Sequence, residues 1–143
     1  MVVETLAQPP IGSNGKQSTS MKYDIRKQIR SFGFAWKGII HGASHEQNLR
    51  FHLCVALLTI FAGIGFGISR HEWIAVILCI GLVIAAELMN SAVERVVDLA
   101  SPEQHPLAGQ AKDLAAGAVL VSAIAAIIVG AFIFLPYLTR FFL

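Results

Sequence analysis

The chain has 143 residues, 55% of them hydrophobic and 14% charged, with a mean hydropathy of +0.65. A water-soluble domain of this length needs more polar surface, so one small domain solvated mainly by lipid is expected. The net charge of +2 is too small to suggest nucleic acid as a partner, and Cys54 and Cys79 lie in apolar runs without the spacing of a disulfide or metal framework.

Residues 1–20 contain Pro, Gly and Ser, with no helical period and no apolar core of signal-peptide length, and read as a disordered tail ahead of a membrane-embedded domain over 21–143. The run Gly12-Ser13-Asn14-Gly15-Lys16-Gln17-Ser18 has the wrong spacing for a phosphate-binding P-loop and follows no strand. Residues 23–47 interleave apolar Ile25, Ile29, Phe32, Phe34, Trp36, Ile39 and Ile40 with basic Arg26, Lys27, Arg30 and Lys37. That mixture predicts an amphipathic helix lying in the interface of an anionic membrane.

Three apolar runs follow, and flanking residues extend them to helices over about 49–69, 72–99 and 110–138. A hydrocarbon core of ~30 Å requires about 20 helical residues, so each run is long enough to cross it. The third carries no charge between Leu114 and Leu138 and has no amphipathic stripe, which excludes a soluble bundle. Gly63 with Gly67, and Gly38 with Gly42, have the spacing of helix-packing pairs, and Trp73 and Tyr137 read as interface anchors. Seven of the eleven Lys and Arg residues precede the first apolar run, Arg70 alone lies in the first loop, and Arg95 and Lys112 flank the second. The positive-inside rule then puts the N-terminus and second loop in the cytoplasm.

The second span carries Glu87, Asn90, Glu94 and Asp98. At 100° per residue they fall within a face roughly 80° wide, with Glu87 about 16 Å along the helix from Asp98. Carboxylates in a span cost roughly 2.5–3.5 kcal/mol each on insertion scales, so the row requires partners or a function. A structural seam would pair them with Lys112, Arg50 or Arg95. A cation-binding reading has Glu46 and Glu94 hold Mg²⁺, Lys112 meet phosphates, and Glu87 act as a general base toward an alcohol presented from the bilayer. Transport, the third reading, is disfavoured because no polar group continues the row toward the outer face.

The segment Glu87-Leu88-Met89-Asn90-Ser91-Ala92-Val93-Glu94-Arg95-Val96-Val97-Asp98 closely resembles the ExxN(S/T)AxExxxD signature of the prokaryotic diacylglycerol kinase family. His105 to Val119, with Lys112-Asp113 and Ala116-Gly117-Ala118-Val119, looks like that family's second signature, and Trp36-Lys37-Gly38 and Glu46 to His52 resemble its interfacial helix and first span. The resemblance implies an all-α integral membrane enzyme with three transmembrane helices plus an N-terminal amphipathic helix. It also implies a homotrimer that shares its sites between subunits and uses ATP and Mg²⁺. It assigns Glu87 as the catalytic base and Glu46 and Glu94 as metal-holding carboxylates. Lys27, Glu46, Asn90, Glu94, Glu103, Gln104, His105, Lys112 and Asp113 fall to ATP, and Trp36, Arg50, Glu87 and Ala116 to the lipid. His52 stands where diacylglycerol-specific members carry a carboxylate, and the pattern of Glu46 to His52 looks more like the undecaprenol kinase branch. The expected substrate is therefore undecaprenol, with diacylglycerol as the alternative.

Overall fold

A computed structural model of the chain describes residues 25–103 and 105–142. They form four helices in chain order: α1 (Ile25–His45), α2 (Gln47–Phe66), α3 (Arg70–Ala100) and α4 (Pro106–Phe142). The last three are long and apolar enough to cross a membrane, and the protein is an integral membrane protein. At 1.5 Å per residue, α3 and α4 measure about 46 and 55 Å, so each outlasts the hydrocarbon core and extends into the polar region.

The helix ends explain how the spans are held. Gly67 closes α2 in the left-handed conformation (φ 64°), its N–H directed at the carbonyls of Gly63 and Ile64, while Ile68 N–H donates to the Gly63 carbonyl at 3.1 Å. This is a Schellman-type stop, and only glycine takes that backbone angle without steric cost. Two residues later Ser69 caps α3. The Ser69 hydroxyl accepts from Glu72 N–H, and the Glu72 carboxylate accepts from Ser69 N–H at 2.7 Å. Tyr137 of α4 donates its hydroxyl to Glu72 Oε2 at 2.9 Å, tying the α2–α3 turn to the third span. Ile68, Val76 and Ile133 are buried beneath it among Phe66, Trp73, Phe134 and Tyr137. The apolar core therefore sits at the end of the bundle away from Asp98 and Lys112.

Two expectations are corrected here. Gly67 does not pack a neighbouring helix with Gly63; it terminates α2, and a Cβ built on it meets nothing within 4 Å among the described residues. Gly63 does provide a close approach, but to the Trp73 ring, whose atoms lie 2.9 Å from where its Cβ would be. Trp73 is thus a packing residue of the core as well as an aromatic side chain near the end of a span. In α1 the same distinction separates Gly38, where an added Cβ would meet nothing within 4 Å among the described residues, from Gly42, which seats against Leu49 and Leu88. That seat fixes the end of α1 on α2 and α3. From Ile25 to His41 every residue of α1 is exposed.

α4 starts at Pro106, four residues ahead of the expected bound. Proline suits a first helical position because its φ is preset and its missing donor has no partner there. The preceding His105 acts as the cap: its carbonyl accepts from Gly109 N–H at 3.1 Å and its Nδ1 accepts from Leu107 N–H at 3.2 Å.

Candidate active site

The polar end of the bundle is built mainly by α3. Glu87, Asn90 and Ser91 are buried side by side on its inner face, Glu87 at only 2% exposure. Glu94 is half-buried one turn further on, and Asp98 is exposed. The i, i+4 spacing brings Asn90 and Glu94 together, and Asn90 Nδ2 donates to Glu94 Oε1 at 2.9 Å. Asn90 Oδ1 is also buried and has no hydrogen-bond partner among the described residues. An orphaned buried acceptor of this kind has given up its hydration, at a cost of about 1–3 kcal/mol.

Glu46, Asn48 and His52 approach the same face from the start of α2. Asn48, His52, Glu94 and Glu46 all stand near enough to the Glu87 carboxylate to act on it electrostatically. Glu46 is the N-cap residue of α2, yet its carboxylate makes no capping bond. Its Oε1 instead accepts from Arg95 Nη2 at 2.6 Å. Four of the expected residues, Glu46, Glu87, Asn90 and Glu94, are therefore gathered within one chain. Asn48 was not among them. It sits four residues before His52, and that i, i+4 spacing on α2 marks the pair as one face.

A second recess lies beside this cluster, between the ends of α3 and α4. It encloses about 500 Å³ and is lined by polar Asp98, Ser101, Glu103, His105 and Lys112 together with Val97 and Pro106. Lys112 Nζ donates to Asp98 Oδ1 at 2.5 Å, and both side chains remain partly exposed, at 37% and 67%. The two ion pairs, Glu46–Arg95 and Asp98–Lys112, realise part of the seam that carboxylates on this face require. They leave Glu87 without a cationic ion-pair partner from Lys or Arg among the described residues. Gln104 lies outside the described residues.

Some expected residues are not brought to this place within the chain. Asp113 follows Lys112 directly, and successive helical residues point about 100° apart. It is exposed on another surface of α4, with Gln110, Leu114 and Gly117. Lys27 and Trp36 are exposed on α1, Arg50 on α2 and Ala116 on α4. An apolar cleft of about 420 Å³ runs between α2, α3 and α4, with Phe51 and His52 contributed by the start of α2 and Phe134 by the distant part of α4. Val83, one turn before Glu87, also lines it. Among the described residues no three His, Cys, Asp or Glu side chains converge to hold a metal by themselves. Mg²⁺ characteristically uses one or two carboxylates and completes its shell with water and substrate phosphates.

Comparison with known proteins gives a consistent result. The prokaryotic diacylglycerol kinase family matches residues 33–134. A Bacillus subtilis protein named undecaprenol kinase is 40% identical over 121 residues, covering 85% of this chain and 98% of that one. A Synechocystis diacylglycerol kinase is 40% identical over 107 residues, 74% of this chain and 61% of the relative. An Escherichia coli diacylglycerol kinase is 33% identical over 100 residues, 70% of this chain and 82% of the relative.

Proposed function

The chain belongs to the prokaryotic diacylglycerol kinase family of membrane lipid kinases, and we propose that it moves the γ-phosphoryl group of ATP to the hydroxyl of undecaprenol at the cytoplasmic face of a bacterial inner membrane. The observation that carries this reading is Glu87: a carboxylate 2% exposed, at the bilayer side of the cluster, beside an asparagine with an unpartnered buried oxygen. Glu87 accepts the proton of the lipid hydroxyl as that oxygen attacks the γ-phosphorus and ADP leaves. Asn48 stands beside the carboxylate, and Asn90 with Glu94 faces the incoming phosphate.

The residues present fit Mg²⁺. Asn90 Oδ1, Glu94 and Glu46 are hard oxygen donors, and the first is a buried acceptor in need of a partner. Bound there with the nucleotide, Mg²⁺ would neutralise charge on the phosphate oxygens. The recess between α3 and α4 supports nucleotide binding, with Lys112 supplying a cation for the phosphates and Glu103 and His105 a polar wall. Opening Lys112 toward a phosphate requires it to leave Asp98, and a partly exposed pair of this kind contributes only about 0–1 kcal/mol.

Lys112 and Asp113 diverge on α4 by about 100°, so the surface that bears Asp113 faces away from the recess and stays open to a second copy. That supports a homotrimer whose sites are completed between subunits, with exposed Lys27, Trp36, Arg50 and Ala116 serving sites that include a second chain. The apolar cleft next to His52 and Val83 is in keeping with a hydrocarbon chain lying below the reacting hydroxyl.

Undecaprenol is favoured over diacylglycerol by His52, which stands near Glu87 where a diacylglycerol-specific site has a carboxylate, and by the near-complete coverage of the undecaprenol kinase relative. Labelled ATP offered with undecaprenol and diacylglycerol side by side in mixed micelles tests the choice. Preferential labelling of undecaprenol is expected. Labelling of neither lipid by well-folded protein would favour a non-catalytic subunit with a structural polar seam.

A further inference from the structure

Glu46 occupies the N-cap of α2, where an acceptor side chain commonly binds the first free amides of the helix. Its backbone is extended, φ −95° and ψ 118°, and its carboxylate makes no such bond. The carboxylate reaches instead to Arg95, 49 residues away on α3, through a contact of one oxygen and one guanidinium nitrogen. Arg95 directly follows Glu94, and Glu46 and Glu94 both act electrostatically on Glu87. The guanidinium is thus a positive group contributed by the chain next to three clustered carboxylates.

We infer that Arg95 is an internal placeholder for the divalent cation: it holds Glu46 when the site is empty and must release it for the metal to bind. The inference rests on the reading of Glu46 as a cation ligand. The pair is suited to exchange. Its side chains are 50% and 27% exposed and the contact is not bidentate, so solvent and salt weaken it. Arg95 is therefore a positioning residue that acts through Glu46. It keeps three like charges from repelling one another in the metal-free protein, and it competes with the metal for one of them.

A purely structural clamp makes the opposite prediction. If Arg95 serves only to hold Glu46 against α3, its loss disorders the ligand and weakens metal binding. If it is a placeholder, its loss removes a competitor and a repelling charge, and metal binding tightens.

The measurement is Mn²⁺ binding to the full-length protein in detergent micelles, without nucleotide or lipid, followed by the electron paramagnetic resonance of free Mn²⁺. Arg95→Gln should bind Mn²⁺ roughly tenfold more tightly than the parent, as expected from removing one unit charge a few ångströms from the site. Arg95→Lys, which keeps the charge, should stay within about twofold of the parent. Glu46→Gln should weaken binding. Weaker Mn²⁺ binding in Arg95→Gln, with Glu46→Gln also weak, overturns the placeholder and leaves Glu46 as a ligand. Unchanged binding in Glu46→Gln overturns both. A tightening in Arg95→Lys as large as that in Arg95→Gln, or the absence of Mn²⁺ binding in Arg95→Gln, also contradicts the inference.

Discussion

Asn90 donates its amide to Glu94 across one turn of α3 at 2.9 Å, and its other end, Oδ1, is left buried with no hydrogen-bond partner among the described residues. The asparagine is therefore oriented at the expense of its own hydrogen bonding, an arrangement more readily explained by a ligand than by folding. Replacing Asn90 with an apolar side chain of similar size removes the unpaired buried acceptor, which offsets the loss of its bond to Glu94.

Asn90→Leu should accordingly keep the thermal stability of the parent to within about 1 kcal/mol, or raise it, while phosphoryl transfer falls at least tenfold. Unfolding in detergent and turnover on the same preparation check both halves. A large loss of stability would make Asn90 a structural residue and remove the reason to assign it a ligand.

At the opposite end, Tyr137 and Glu72 join α4 to the α2–α3 turn. Tyr137→Phe should lower stability by about 1 kcal/mol, the worth of one hydrogen bond, and leave transfer per folded molecule near that of the parent. The separation from Glu87 is the reason: Glu72 lies fifteen residues along α3, about 22 Å. Equal losses in stability and in specific activity would show that the two ends of the bundle are coupled.

The three spans were legible because lipid imposes a long, uncharged run that nothing else in a small chain resembles. The row of Glu87, Asn90 and Glu94 was legible because helical period alone brings it to one face. Other features required coordinates. Gly63 and Gly67 have the same spacing whether they pack helices or stop one, and the sign of φ at Gly67 decides between them. The early start of α4 depends on His105, an uncommon cap whose ring nitrogen replaces the usual short side-chain oxygen. Lys112 and Asp113 are adjacent in sequence, yet the helix sends them to different surfaces.

His52 is half-buried, lines the apolar cleft and acts electrostatically on Glu87. A carboxylate at that position would offer a hydrogen-bond acceptor to the polar glycerol headgroup of diacylglycerol and would repel Glu87. His52→Glu should shift the ratio of turnover toward diacylglycerol and lower the rate with undecaprenol. Competition between the two lipids in one micelle measures the ratio directly, and an unchanged ratio would show that His52 does not discriminate between them.

The central claim is that Glu87 is the base and that it acts in the transition state rather than in binding the nucleotide. Loss of such a group lowers turnover without an equal loss of ground-state affinity. Loss of a metal ligand is instead partly offset by more metal. The decisive measurement is turnover and ATP affinity of Glu87→Gln and Glu94→Gln across a magnesium series. Glu87→Gln should nearly abolish turnover at every magnesium concentration while ATP affinity stays within a few-fold of the parent, and Glu94→Gln should bind ATP weakly and recover in part as magnesium rises. Near-normal turnover in Glu87→Gln, or rescue of Glu87→Gln by magnesium while Glu94→Gln remains unrescued, would contradict the account.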